Sequence, residues 1–185
     1  MSTTVSACQH PHDTQHLSSA DIAERLIAAI EQCRVRGVRF TQLRKQIYEL
    51  VLQAKKPVGA YDLMTQLQQL RLAQTSDTDG LATELVAKQK KQIPKNVAPP
   101  TVYRSLEFLL GEGLIHQLTS INAYVPCCHP RAEHTAAFLI CDICLRVQEC
   151  SSLPVQEMMS FAEQDVGFRV TRSVIELSGR CQNCH

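Results

Sequence analysis

The first two thirds of the chain carry apolar side chains at the spacing of amphipathic helices. A capping-box pattern at Ser18 and Asp21 opens the first of these stretches, and Gly37 closes it. Thr41 is the predicted N-cap of the second stretch, and "AYDLMTQLQQL" forms the third. The pattern therefore predicts three consecutive helices.

A fourth helix is predicted in "PPTVYRSLEFLLGEGLI", which begins with prolines and ends at Gly113. Val102 and Leu106 lie on its apolar face, whereas Arg104 falls on the opposite, exposed face. The alternating stretch "LIHQLTSINAYVP" predicts a two-stranded hairpin. This order of elements is typical of a winged helix-turn-helix. A generic small α+β domain is the alternative that the pattern alone leaves open.

Beyond Pro130 the pattern changes to short strands and one further helix. The predicted strands are "TAAFLI", "RVQEC" and "FRVTRSVIELS", and the predicted amphipathic helix is "PVQEMMSFAEQD". The knuckle "CDIC" follows the first strand and "CQNC" follows the last. We therefore expect a compact α+β unit whose ends meet at two cysteine pairs.

These elements predict a disordered tail at residues 1–17, a winged-helix domain at 18–126 with an inserted loop at 71–98, and a metal-binding domain at 127–185. The tail carries Cys8 and three histidines, so an accessory metal-binding tract is the alternative for it. The insertion carries four lysines near its end, so contact with DNA phosphates is the alternative to a solvated loop.

Composition and charge narrow the class of protein. The 185-residue chain has a net charge of +1, which argues against a general polyanion binder. Basic residues nevertheless concentrate between Arg34 and Lys56, where Glu49 is the single acid. The absence of a secretory signal or a membrane-length apolar run predicts a cytoplasmic protein without membrane contact. Nine cysteines in such a chain favour metal binding over disulfides.

The paired Cys-x-x-Cys motifs are the most specific metal signal. Two such turns aim four thiolates at one point, which suits tetrahedral zinc and leaves no open position for a substrate. We therefore predict a structural zinc site, with a redox dithiol pair as the alternative. Its ligands are Cys141, Cys144, Cys181 and Cys184.

A second group of possible ligands remains around the hairpin. Its members offer nitrogen, sulfur and oxygen atoms: His116, Cys127, Cys128, His129, His134 and Glu149. Taken singly, His116 is more typical of a packed strand residue and Glu149 of a surface charge. Their spacing alone does not establish a site.

The motifs "GVRFTQLR", "AYDLM", "PPTVYRSLEFLLGEGLIH", "NAYVPC" and the paired "CDIC" and "CQNC" resemble those of the ferric uptake regulator family, most closely its zinc-sensing members. The resemblance covers roughly residues 22–184. It implies a homodimeric, metal-activated repressor that controls zinc uptake genes and is not an enzyme. Residues 127–185 would then also form the dimerisation domain. The expected partner is double-stranded operator DNA with an AT-rich palindrome.

Carried over by position, the resemblance implies two Zn²⁺ ions per subunit. The structural ion would use the four paired cysteines, and the regulatory ion would use His116, Cys127, His134 and Glu149. The residues expected to contact DNA are Arg39, Tyr61, Thr101, Tyr103 and Arg104. Two features depart from the family pattern. The usual proline after Thr41 is absent, and the Cys127–Cys128–His129 triplet leaves the ligand choice open.

The donor types favour zinc as the sensed metal, because a thiolate suits zinc better than it suits Fe(II). An iron- or peroxide-sensing member of the same family is the first alternative. A zinc enzyme is a weaker one, because using Glu149 as a ligand leaves no obvious general base. A structural zinc protein that binds a protein partner is the third. Since the regulatory ligands come from both domains, we expect metal binding to set the angle between them.

Overall fold

A computed structural model describes residues 17–76, 98–130, 136–150, 154–170 and 173–185. It confirms the predicted α+β class. The elements in chain order are α1 (Ser19–Val35), α2 (Gln42–Gln53), α3 (Ala60–Ser76), α4 (Pro99–Gly111), β1 (Ile115–Leu118), β2 (Ala123–Pro126), β3 (Ala137–Cys141), β4 (Val147–Cys150), α5 (Val155–Gln164) and β5 (Ile175–Gly179).

Local side-chain contacts explain where the first helices begin. The Ser18 hydroxyl accepts from the backbone N–H of Asp21 at 3.1 Å, and the Asp21 carboxylate accepts from the Ser18 N–H at 2.9 Å. This reciprocal pair is the predicted capping box. Thr41 caps α2 by accepting from the N–H of Arg44 at 3.4 Å. Both predicted N-caps are therefore confirmed.

The four N-terminal helices bury one continuous apolar core. Its fully buried members include Tyr48 of α2, Leu63 of α3 and Leu109 of α4. The hairpin β1–β2 joins this core through Tyr124, whose backbone pairs with Val58 in both directions at 2.9 and 3.0 Å. The helices and hairpin form the predicted winged helix-turn-helix, and we call the hairpin 115–126 the wing.

Two predicted element boundaries differ from the structure by more than two residues. Helix α3 continues to Ser76, past the predicted start of the insertion at residue 71. The last strand begins only at Ile175, and Phe168, where it was predicted to begin, instead closes the end of α5 with a backbone bond to the Ala162 carbonyl at 2.8 Å. Residues 77–97 of the insertion and residues 1–16 of the tail lie outside the described residues.

The C-terminal part contains a three-stranded sheet in the order β4–β3–β5. Strand β3 pairs antiparallel with β4 and parallel with β5. In this register Phe138 lies between Glu149 on β4 and Glu176 on β5. Cross-strand partners project from the same face of a sheet, so these three side chains form a row across one face.

The wing lies against that face of the sheet. A second apolar cluster joins Leu118 and Val125 of the wing to Phe138, Ile140 and Val147 of the sheet. The wing thus lies between the helical core and the C-terminal sheet, and the candidate regulatory site forms at this contact. Among the described helices, none is both long and apolar enough to cross a membrane.

Candidate metal centres and the exposed face of the fourth helix

The two Cys-x-x-Cys motifs meet at one end of the sheet. Parallel pairing places Cys141, at the end of β3, beside Gly179 at the end of β5. The backbone N–H of Asp142 then bonds the Gly179 carbonyl at 2.8 Å and brings the two turns together. One ligand atom from each of the four cysteines lies within 4.8 Å of the others. The structure therefore brings together all four residues predicted for the structural site.

Hydrogen bonding in this cluster favours thiolate at one position. Backbone N–H groups of Cys144 and Cys181 lower the pKa of the Cys141 thiol to about 6. The Cys181 N–H lies 3.4 Å from the Cys141 Sγ. The Cys144 and Cys181 sulfurs are 3.7 Å apart, and none of the four cysteines of this cluster forms a disulfide. Four convergent sulfurs with backbone donors fit a tetrahedral zinc ion.

The second candidate site joins the wing to the sheet. His116 comes from β1, Cys127 follows β2, and Glu149 comes from β4, and their ligand atoms lie within 4.8 Å of one another. His116 Nε2 is 3.6 Å from Glu149 Oε1. Cys127 is fully buried and Glu149 is 4% exposed. His134, the fourth predicted ligand, lies outside the described residues.

The two buried acids of this site have opposite pKa shifts. Burial alone would raise the pKa of Glu149, but the neighbouring His116 imidazole and the hydrogen bond from the Cys128 N–H outweigh it and lower the pKa to about 2. Burial, followed by the nearby Glu149 charge, raises the pKa of Cys127 to about 12. Metal ligation by Cys127 therefore requires loss of a tightly held proton. Nitrogen, sulfur and oxygen donors with one carboxylate already ionised fit a zinc ion.

The triplet 127–129 contributes unequally to this site. Cys127 belongs to the converging group, whereas neither Cys128 nor His129 does. The backbone N–H of Cys128 instead donates to Glu149 Oε2 at 3.0 Å. Cys128 thus holds the carboxylate of a candidate ligand through its main chain.

Two residues that the sequence did not identify, Arg25 and Phe138, support the second site. The Arg25 guanidinium on α1 donates to the carbonyl of Cys127 at 3.0 Å across 102 residues. The ring of Phe138 lies 5.1 Å from that of His116, centroid to centroid. No spacing rule pairs residues so far apart in the chain. The strand register links Phe138 to Glu149 only once the sheet order is known.

The residues predicted to contact DNA are all exposed. Thr101, Tyr103 and Arg104 project from α4, and Tyr61 at the start of α3 is 72% exposed. Arg39 is exposed in the segment between α1 and α2.

An arginine outside the predicted set orders the segment that holds Arg39. Arg44 donates to the Arg39 carbonyl, and its guanidinium lies 3.6 Å from the centre of the Phe108 ring. It thereby links this segment to α4, which carries most of the predicted contacts. A cation over an aromatic face is favourable.

Comparison with known proteins gives a consistent set of relatives. No family model matches the chain. The chain is 33% identical over 163 residues to the zinc uptake regulation protein of Escherichia coli K12, covering 87% of this chain and 82% of that protein. A solved zinc uptake regulator complexed with zinc and DNA is 31% identical with a TM-score of 0.71, covering 91% of this chain and 96% of that chain. Holo XcZur is 33% identical with a TM-score of 0.64, covering 87% and 96% respectively.

Proposed function

Since the chain belongs to the ferric uptake regulator family and is most like its zinc uptake regulators, we propose that it is a zinc-responsive transcriptional repressor. It binds operator DNA as a zinc-loaded homodimer in the cytoplasm and controls zinc uptake genes. One observation carries this proposal. His116 of the wing and Cys127, the residue directly after the wing, converge with Glu149 of the C-terminal sheet.

Two zinc ions per subunit are part of the proposal. The paired cysteines hold a structural ion, and His116, Cys127 and Glu149 together with His134 hold a regulatory ion. Each zinc ion would supply a Lewis-acidic centre that can accept the donors of its own site. A structural site built from four thiolates leaves no coordination position open. The donors of the regulatory site, by contrast, come from two parts of the fold.

The regulatory ligands act as a link between wing and sheet. His116 and Cys127 are continuous with the hairpin that follows α4, whereas Glu149 belongs to β4 of the sheet. The Cys128 N–H, just after the hairpin, bonds the Glu149 carboxylate across this contact. Shared coordination holds the wing, and with it α4, at one angle to the sheet. In a dimer that angle sets the distance between two copies of α4, which has to match major-groove half-sites. A ligand favours whichever arrangement it binds better.

The exposed residues of α4 supply recognition in this proposal. Arg104 contacts a base edge with its guanidinium, and Tyr61 contacts a base from α3. Thr101 and Tyr103 contact the DNA from α4, and Arg39 lies near the minor groove. Phosphate contacts from the basic residues add affinity that falls with salt. A palindromic operator would match the two-fold symmetry of a dimer, and an AT-rich sequence is the one that the family resemblance implies.

Fluorescence anisotropy on a labelled AT-rich palindrome, across buffered free zinc, tests this function. The parent chain is expected to bind only above a threshold of free zinc. His116→Ala and Cys127→Ser are expected to abolish this response while leaving a folded dimer. Cys150→Ser is the matched control, because Cys150 belongs to neither candidate cluster. Zinc-responsive binding that is unchanged in either ligand variant would overturn the proposal.

Metal analysis separates zinc sensing from iron or peroxide sensing. Purified protein is expected to hold two zinc ions per chain, one of them removable by mild chelation. Iron in the removable site, with operator binding that follows iron, would favour the alternative.

A further inference from the structure

A single carboxylate on the sheet holds the tip of the wing. Glu176 of β5 accepts from two consecutive residues of the turn between β1 and β2. Its Oε1 accepts from the N–H of Thr119 at 2.7 Å and from the Thr119 hydroxyl at 2.8 Å. Its Oε2 accepts from the N–H of Ser120 at 3.0 Å and from the Ser120 hydroxyl.

This contact forms without any metal ligand. Glu176 is separated from the turn by more than fifty residues of chain, so tertiary structure alone brings them together. Hydrogen bonds to an ionised group are roughly twice as strong as neutral ones. Two of the four bonds satisfy backbone N–H groups that the hairpin turn leaves without strand partners, and the other two come from hydroxyl groups.

The register of the sheet places this carboxylate in line with the regulatory site. Glu149, Phe138 and Glu176 are successive cross-strand partners on β4, β3 and β5. Glu149 and Phe138 both lie beside His116, while Glu176 accepts hydrogen bonds from the turn that follows β1. The same row of side chains thus contacts the wing at its ligand and at its tip.

We propose that Glu176 is a positioning residue, a metal-free clamp that docks the wing on the sheet and so presents His116 to Glu149. The docking of the wing by Glu176 does not depend on the proposed function. Only the effect of this docking on zinc and DNA binding rests on that function. If the wing is docked in only a fraction of the molecules, the apparent affinity for zinc is reduced in proportion to that fraction. Once zinc is saturating, docked and undocked chains converge on one arrangement.

Amide hydrogen exchange at Thr119 and Ser120 tests the clamp directly. The measurement uses the full chain with its four-cysteine site loaded and no further zinc added. The parent chain is expected to protect both amides. Glu176→Gln is expected to lose most of that protection, because a neutral amide group replaces the carboxylate. Glu24→Gln, on an exposed residue of α1, is the matched control. Equal exchange in the parent and Glu176→Gln chains would overturn the proposal.

Zinc titration then separates positioning from general destabilisation. Glu176→Gln is expected to weaken zinc binding at the regulatory site about tenfold, equivalent to about 1.4 kcal/mol. Operator affinity at saturating zinc is expected to match that of the parent chain. The Co²⁺ absorption spectrum of the loaded site should also be unchanged, since no ligand is altered. An equal loss of operator affinity at saturating zinc would contradict a positioning role.

Ser120→Ala keeps the proposal testable if Glu176→Gln does not fold. It removes one hydroxyl donor and leaves both backbone N–H groups in place. We expect partial loss of amide protection and a smaller weakening of zinc binding. If the Ser120→Ala chain matched the parent in both measurements, the clamp would be refuted. Failure of zinc-dependent operator binding in the parent chain would instead refute the proposed function and leave the clamp intact.

Discussion

At the scale of single residues, the regulatory site depends on contacts that its ligands do not make themselves. Arg25 is the clearest case, because its guanidinium donates to the carbonyl of Cys127 and fixes the main chain of that ligand. Removing an outer contact of this kind typically weakens metal binding about 10- to 100-fold.

We therefore predict that Arg25→Ala weakens zinc binding at the regulatory site by about tenfold while zinc at the four-cysteine site is unaffected. Competition with a zinc-chelating dye measures both. Arg34→Ala is the control, since Arg34 lies on the same helix and pairs with Glu31 at the surface. Equal zinc affinity in the Arg25 and Arg34 variants would contradict this prediction.

Residue chemistry explains how much of the site was predictable. The thiols, imidazole and carboxylate can be recognised as possible metal ligands in the sequence by their donor atoms. The cysteine pairs can also be recognised by their spacing. Arg25 and Glu176 have no such signal, because an arginine or glutamate on an amphipathic element is ordinarily a solvated charge. Only the tertiary contacts reveal that they hold main-chain groups of the wing and of the segment after it.

At the scale of elements, α4 combines a buried face with an exposed one. Val102 and Leu109 are fully buried in the helical core, and Arg104 on the other side is exposed. The helix is therefore held rigidly while its polar side chains stay accessible. This geometry allows a guanidinium to be presented to a groove without loss of packing.

We predict that Arg104→Lys lowers affinity for the operator by about tenfold, because lysine cannot make the bidentate contact that guanidinium makes with guanine. The charge is retained, so affinity for unrelated DNA and the dependence of binding on salt should stay constant. Anisotropy titrations on both DNAs at saturating zinc measure this. A parallel loss on unrelated DNA would show that Arg104 contributes only charge.

The helical elements were predictable because their apolar spacing is sustained over several turns and their N-caps are local. The C-terminal end of α3 and the start of β5 were not predictable in this way. Helix α3 runs on through polar residues, and the predicted strand at Phe168 yields to the backbone bond that closes α5. A periodicity count does not include the bond that closes α5.

At the scale of the whole molecule, the two faces of the C-terminal sheet differ in what covers them. One face packs on the wing through Phe138 and Ile140. The opposite face presents Leu139 and Leu177, which are cross-strand partners and are 37% and 48% exposed. Adjacent exposed leucines on a sheet offer an apolar surface that a partner can cover. A second copy of the chain is the occupant that the proposed homodimer requires.

We predict that Leu139→Asp shifts the protein from dimer to monomer and weakens operator binding at saturating zinc by at least about tenfold, because burying an unpaired carboxylate in an apolar interface costs several kcal/mol. Light scattering coupled to size-exclusion chromatography measures the mass, and anisotropy measures the binding. Ile27→Asp is the matched control, since Ile27 is an equally large apolar residue exposed on α1, far from the sheet in the chain. If Leu139→Asp remained dimeric, the subunits would have to meet through another surface. The angle between wing and sheet would then no longer set the distance between the two copies of α4 by the route proposed.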